Sequence, residues 1–270
     1  MPSGEGVVSV ASWNINSVRA RVGTLLDWLR EASPDVALLQ EIKCLAEEFP
    51  TLEVEDLGYN VALCGQKSYN GVAILSKHRL STECLELPGE PDRQARYTEG
   101  LVEVPVDGAN RVLRVASIYL PNGNPVGSDR FAYKLAWMEA LRTHVRERLA
   151  LEEVFVLGGD YNVVPTDFDV WNAEAVRADA LMQPEVRARY RALLYLGLTD
   201  AYRALHPRER GYTFWDYQAG AWRRNHGWRI DHLLLSPQAA DRLAAADVDT
   251  APRAGAKPSD HTPVWCALRL

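Results

Sequence analysis

Cysteine is sparse in this sequence. The 270 residues contain four, at Cys44, Cys64, Cys84 and Cys266, with no CxxC pair and no spacing that would hold zinc. That excludes a disulfide scaffold and predicts free, mostly buried thiols in a reducing compartment. Long apolar runs are missing as well. None approaches the roughly 20 residues that cross a bilayer. The N-terminal MPSGEGVVSV lacks the charged-then-apolar order of a secretory leader. A cytoplasmic protein with no membrane association is the expectation. An excess of basic charge is also absent, the net charge being −6. This weighs against a nonspecific nucleic-acid binder. Carboxylates that hold a metal lower the sum, however, while a local basic surface can still meet phosphates. No repeat, low-complexity tract or linker interrupts the chain. Apolar residues make up 47% of it, enough for one large core, and a single domain over residues 1–270 is expected.

Strand-like runs are plentiful. VVSVASWN, DVALLQE, NVALCG, GVAILS, LVEVPV, RVLRVASIYL and EVFVLGGD fill the first 160 residues, and GYTFWDY, RIDHLLLS and PVWCALRL follow. Several are near-continuous apolar stretches, as in strands covered on both faces. Helical spacing appears over 18–32, with Leu25, Leu26, Trp28 and Leu29 on one side. It appears again over 130–149, with Leu135, Trp137, Met138, Leu141 and Val145, and over 184–196, where Gly197 closes the pattern. Too many strands follow one another without a helix for a doubly wound parallel fold. Mixed or antiparallel sheets layered with helices fit better. The polar stretches 83–100 and 203–226 are candidate functional loops.

Polar side chains recur where these strands end. Asn14 and Asn16 end the first, Gln40 and Glu41 the second, Tyr119 and Asn122 a later one, and Asp160 and Asn162 the run VFVLGGDYN. Asp231 lies in a late strand, and the pair Asp260-His261 precedes the last. With neighbouring strands antiparallel, the end of one lies beside the start of the next, so these groups crowd one edge. Carboxylate and amide oxygens are hard ligands suited to Mg²⁺, which binds one or two carboxylates together with substrate phosphate oxygens. Cysteine is unused and one histidine is placed to act, which disfavours a soft-metal site. A metal, a histidine and a further aspartate together can hydrolyse a phosphodiester.

The blocks SWNINSVRAR, LLQEIKC, SYNGVAILSK, SIYLPNGNP, LGGDYNVVPTDFDVW, GYTFWDY, GWRIDHLLLS and SDHTPVW resemble, in order and spacing, the exonuclease III type of apurinic/apyrimidinic endonuclease within the endonuclease/exonuclease/phosphatase superfamily. The resemblance runs from about residue 8 to 268. It implies an α/β (α+β) fold, a four-layer αββα sandwich of two packed mixed β-sheets flanked by helices. It implies Mg²⁺-dependent cleavage of DNA 5′ to an abasic site, with 3′→5′ exonuclease and 3′-phosphodiesterase action, Mn²⁺ substituting. The implied partner is double-stranded DNA carrying abasic sites or 3′ ends, with no obligatory protein partner. In a bacterium the location would be the cytoplasm around the nucleoid.

Position by position, the resemblance makes Glu41 the principal metal ligand, Asn14 a supporting residue and Asp260 a more distant member of the metal shell. Asp231 and His261 become a paired Asp-His, with the carboxylate fixing the imidazole tautomer. Asp160 is similar to the central acid/base carboxylate, Asn162 to its orienting partner, and Tyr119 to a tyrosine contacting the phosphate. Asn16 departs from the pattern, because some members carry an acid there; it falls among the substrate contacts with one charge fewer in the metal environment. Phe214 and Trp228 flank the polar segment QAGAWRRNHG and are candidates to wall a pocket for an extruded base-free sugar. Arg96 is the strongest candidate phosphate contact, ahead of Lys67, Arg93, Arg130, Arg223 and Arg224. Asp167 and Asp169 match no catalytic position and read as turn and surface residues. So do the other histidines, as surface or structural groups. A phosphoesterase of the same superfamily acting on a small or lipid phosphate, and an inactive binding protein on the same fold, are the rival readings.

Overall fold

The computed structural model describes residues 1–270 except Ser3, Glu5 and Pro91. Strands β1 (Val7–Asn14), β2 (Val36–Gln40), β3 (Asn60–Cys64) and β4 (Val72–Ser76) come first. Then follow β5 (Arg79–Cys84), β6 (Tyr97–Val106), β7 (Ala109–Tyr119), β8 (Phe155–Asp160), β9 (Thr199–Asp200) and β10 (Asp231–Leu235). The last two, β11 (Leu243–Val248) and β12 (Val264–Arg269), return to join the first four. One sheet has the order β11-β12-β1-β2-β4-β3 and the other β5-β6-β7-β8-β10-β9. Each is mixed: β1–β2 and β7–β8 pair in parallel, and the remaining neighbours are antiparallel.

Alternation along the strands explains the layering, because successive side chains face opposite sides of a sheet. Val8 and Val10 of β1, Leu38 of β2, Leu113 and Val115 of β7, Val156 of β8 and Leu233 of β10 share one cluster between the sheets. The intervening Ala11, Trp13, Ala37 and Leu39 pack outward against Leu25, Trp28 and Leu29 of the helix Val22–Glu31. On the far side, Phe155 and Leu157 meet Trp137, Met138, Leu141 and Val145 of the helix Asp129–Leu149. The result is four layers, helix–sheet–sheet–helix, as the resemblance implies.

The glycine pair before Asp160 has a packing reason. A Cβ on Gly159 would lie 2.0 Å from the Ile118 carbonyl oxygen, and one on Gly158 would lie 2.6 Å from side-chain carbons of Leu38 and Leu233. Both glycines therefore allow a close approach, Gly158 across the seam between the sheets and Gly159 to the neighbouring strand.

Three features differ from expectation. Strands β5, β9 and β11 are additional to the expected runs, and all three are edge strands: β5 (RLSTEC) and β9 (TD) lack an apolar run, and β11 (LAAADV) is mostly alanine. The segment GYTFWDY is not a strand: Phe214 makes isolated bridges to Trp228 and His261, and Trp215 N–H donates to the Asp260 carbonyl at 2.9 Å. Asp169 is a buried residue, contrary to its reading as a surface group. It accepts from Arg229 Nε at 2.7 Å and Arg203 Nη2 at 2.6 Å, while Arg229 Nη1 also holds Asp200 at 2.7 Å. A buried guanidinium behind Trp228 and Ile230 requires such partners, since an unpaired charge in the interior is strongly disfavoured. The polar stretches shorten to a loop between β5 and β6 and to loops around the short helices Ala201–Leu205 and Ala221–Arg224. No helix among the described residues is long and apolar enough to cross a membrane.

Candidate active site

The alternation that builds the core also aims the polar strand ends. Val156 and Gly158 face the seam, so Asp160 at the end of β8 does too. The same period puts Asn14 after Val8 and Val10, Tyr119 after Val115, and Asp231 ahead of Leu233. The registers then bring them side by side. Tyr119 pairs with Asp160 across the parallel β7–β8 ladder, and Asp231 pairs with Asp160 across the antiparallel β8–β10 ladder. On the other sheet, Asn14 pairs with Gln40. Behind them Gln40 Nε2 donates to Ser117 Oγ at 3.0 Å, a buried polar bridge between the sheets.

Past the strand ends the chain turns in a left-handed conformation at Asn16, Glu41, Lys43 and Asn162, with φ of 46°, 49°, 53° and 47°. Non-glycine residues held in this region gather at functional sites, where surrounding bonds over-determine them. Here Ser17 N–H donates to the Glu41 carbonyl at 2.7 Å and Ile42 N–H to Gly71 at 3.1 Å.

The amide of Asn14 donates to Glu41 Oε1 at 2.8 Å and to Asp160 Oδ2 at 3.0 Å, so one side chain orients both carboxylates. Asp160 Oδ1 accepts from the Asn162 N–H at 2.9 Å. His261 Nδ1 lies 2.8 Å from Asp231 Oδ2, which leaves Nε2 facing the cleft, 3.8 Å from Asp160 Oδ2. Burial pushes the Asp160 carboxyl up to about 7, with the charges of Asp231 and Glu41 adding to it and His261 opposing. Burial alone would lower the imidazole of His261, but Asp231 and then Asp160 raise it to about 10. Glu41 is held below its usual range despite burial, because Lys43 Nζ sits 2.7 Å from Oε2 and Asn14 donates to it. Burial, then the charges of Glu41 and Asp160, keep the Tyr119 phenol well above its ordinary value.

Glu41, Asp160 and His261 each present a ligand atom within 4.8 Å of the others. Two of the three donors are carboxylates, and His261 is held protonated by Asp231. The oxygen donors therefore fit a hard divalent cation, with Glu41, the carboxylate held in its ionised form, best suited to hold it. Asp260 lies outside this group of three; its Oδ1 accepts from Asn16 Nδ2 at 2.9 Å, and Lys43 Nζ donates to Asn16 Oδ1 at 2.6 Å. Asn16 thus joins Asp260 to the Glu41–Lys43 pair at the rim.

Phe214 packs on His261, ring centroids 4.9 Å apart, and meets Trp228 edge-on at 6.4 Å. Together with Leu181 and Ile230 they wall a cleft of about 330 Å³ whose polar side is Glu41, Asp160 and His261. A neighbouring cavity of about 460 Å³ shares Asn122 with this cleft and is lined by Arg96 and Arg130. Arg96 lies over the Tyr119 ring at 4.8 Å and donates to the Tyr119 carbonyl at 3.2 Å. Arg93, by contrast, is exposed, with its Nε 3.9 Å from the Glu86 carboxylate. Sequence reasoning missed Lys43, Asp179 and Leu181. The i, i+2 spacing of Glu41 and Lys43 was the one available sign; nothing local marks Asp179 or Leu181. A larger groove of about 670 Å³ near Trp28 and Trp265 is remote from this chemistry.

A model of the "Endonuclease/Exonuclease/phosphatase family" matches residues 11–261. The chain is 32% identical to exodeoxyribonuclease III of Haemophilus influenzae, over 96% of this chain and 98% of that protein. It superposes on an AP endonuclease from Archaeoglobus fulgidus with a TM-score of 0.91 and 33% identity, covering 97% of this chain and 100% of the other. It superposes equally broadly on a 3′ phosphatase from Neisseria bound to product DNA hairpin, with a TM-score of 0.89, 34% identity, and coverage of 97% and 100%.

Proposed function

Because the chain belongs to the endonuclease/exonuclease/phosphatase family, we propose that it is a DNA-repair nuclease. In this reading it hydrolyses the phosphodiester 5′ to an abasic site and trims 3′ ends as exonuclease and 3′-phosphodiesterase, with Mg²⁺, or Mn²⁺ in its place. The observation that carries the reading is the meeting of Glu41, Asp160 and His261 within 4.8 Å at a cleft walled by Phe214 and Trp228. The named activities of the exodeoxyribonuclease, the AP endonuclease and the DNA-bound 3′ phosphatase support DNA as the substrate.

Each side chain has a part that follows from its surroundings. Asp160 accepts hydrogen bonds from Asn14 and Asn162, which favours its ionised form, while burial lifts it towards neutrality. A carboxylate so poised suits a general base that takes the proton of the attacking water. Asn162 orients that carboxylate. His261, held protonated by Asp231, donates from Nε2 to a phosphate oxygen. Tyr119 remains a neutral phenol and donates to the same phosphate. Bound at Glu41, supported by Asn14 and more distantly by Asp260, a divalent cation supplies Lewis-acid neutralisation of charge on the phosphate. Asn16 and Arg96 contact the backbone on either side.

Selectivity is assigned to the apolar wall. A sugar without a base leaves the duplex at lower cost, so a tight pocket selects the lesion by shape. The test compares wild type with Phe214→Ala on three substrates: duplex with one tetrahydrofuran residue, the same duplex intact but with a recessed 3′ end, and small or lipid phosphodiesters. Wild type should act on the DNA substrates and not on the small ones; the reverse order overturns the reading. Phe214→Ala should lose discrimination between abasic and intact duplex by about 10-fold, the scale of one pocket contact, with a smaller loss of DNA binding. Equal losses make Phe214 a packing residue.

A further inference from the structure

The helix Asp129–Leu149 buries a lysine among its apolar side chains. Lys134 is 0% exposed, on the same face as Phe131, Trp137 and Met138. Such a position ordinarily holds Leu or Met, because an ammonium taken from water needs compensation. None of the described carboxylates is ion-paired with it. Its partners are two backbone carbonyls, Asn122 at 2.9 Å and Asn162 at 2.5 Å. These belong to the two loops that follow β7 and β8, after Tyr119 and Asp160 respectively. The side chains of the same two residues also meet, Asn122 Nδ2 donating to Asn162 Oδ1 at 3.2 Å. Asn162 Nδ2 donates in turn to the Leu120 carbonyl at 2.9 Å.

We propose that Lys134 is a positioning residue of the active site, drawing the Asn122 and Asn162 carbonyls to one point and so fixing both loops against Asp160. Two further observations support it. Asn162 is held with φ of 47°, a region that few residues other than Gly and Asn adopt. Lys134 Nζ donates to the Asn162 carbonyl, and the Asn162 N–H donates to Asp160 Oδ1 at 2.9 Å, so the residue whose N–H orients the carboxylate is held on both sides. Gly123, next to Asn122 in the loop after β7, is shaped to the lysine: with φ of +86°, a Cβ there would lie 2.5 Å from Lys134 Cδ. A hydrophobic residue at 134 would fill the space and leave two buried carbonyls without donors. Burial lowers the lysine to about 7, with the charges of Asp160 and Asp179 opposing; as ammonium or as amine, Nζ still donates to the two carbonyls.

The inference rests on the cleft being the phosphodiesterase centre, and two readouts separate the two claims. The first is steady-state incision of tetrahydrofuran duplex by wild type, Lys134→Met and Lys134→Arg. In the Met variant kcat should fall between about 10- and 100-fold, the scale of a small misplacement of reacting groups, with KM changed by less than about threefold. The Arg variant keeps cationic donors for the carbonyls and should recover at least about fivefold of that loss. The second readout is hydrogen exchange at the Asn162 amide, which needs no activity. Its protection should drop at least about 10-fold in Lys134→Met while strands β1 and β8 stay protected, the pattern of a local opening. Should Lys134→Met fail to fold, Gly123→Ala displaces the lysine stem, and the same fall in kcat and in Asn162 protection is expected. Unchanged kcat and unchanged protection overturn the role of Lys134. So does a loss that appears equally in KM, or one that Arg does not restore. A wild type that incises nothing while Asn162 loses protection as described overturns the nuclease reading and leaves the tether standing.

Discussion

Replacing Asp160 by Asn should lower kcat on abasic duplex by about 10³-fold, within the range for one positioned acid/base group, with little change in KM. The substitution keeps the shape and removes the charge. Asp160 sits where the inner-face alternation of β8 ends, between Tyr119 and Asp231 in the ladder and under donors from Asn14 and Asn162. No other described carboxylate occupies that position, so no neighbour can take over its proton transfer. The pH dependence follows with its sign. Burial raises the carboxyl to about 7, so the base form appears as pH rises through that value, and the wild-type rate should climb there. The imidazolium of His261 is lost as pH rises through about 10, so the rate should fall again in that region. Rate profiles on tetrahydrofuran duplex check both limbs; a rate already flat from pH 5 to 8 contradicts the assignment of Asp160 as base.

His261→Ala should cost at least about 10²-fold in kcat, the lower range for a single proton or charge contribution in a desolvated site. The cause differs from that for Asp160. His261 is fixed by Asp231 at 2.8 Å, which commits Nδ1 and leaves the Nε2 proton for the phosphate. Asp231→Asn should therefore imitate much of the loss, because a neutral amide no longer holds the imidazole protonated. Single-turnover kinetics separates chemistry from product release. A His261→Ala enzyme that turns over at near-normal rate would mean that the histidine only supports Phe214, on which it packs.

Much of this site was legible in the strand pattern. Asn14, Tyr119, Asp160 and Asp231 each lie an even number of residues from an inward apolar residue in the same strand, so their common face follows from alternation alone. The double glycine before Asp160 announced a close approach, and the structure places the Ile118 backbone and the Leu38 side chain there. Mixed sheets layered with helices were also readable, from runs covered on both faces and from few intervening helices, while the four-layer order came from the resemblance. Other features were not, for identifiable reasons. Glu41 and Asn162 were named from their places at strand ends, but the left-handed turns that carry them were not readable, least of all at a glutamate. Lys134, Arg229 and Asp169 are buried charges, and a pattern that sorts residues into apolar-inside and polar-outside puts them at the surface. Their partners, the two loop carbonyls and the Asp200 carboxylate, come from segments remote in the chain. The edge strands β5 and β9 were not readable because a half-exposed edge needs no apolar run, and β11 because its alanines carry little strand propensity.

If Glu41 anchors a divalent cation in the cleft, incision of tetrahydrofuran duplex must depend on Mg²⁺ through that carboxylate, and a Mg²⁺ titration measures the dependence. Wild type should incise with Mg²⁺ and stop in EDTA. Glu41→Gln should require at least about 10-fold more Mg²⁺ for half-maximal rate, the scale of losing one metal-site interaction, and recover part of its rate at saturation. Incision in EDTA, or a Glu41→Gln titration that overlays the wild-type curve, would contradict the account.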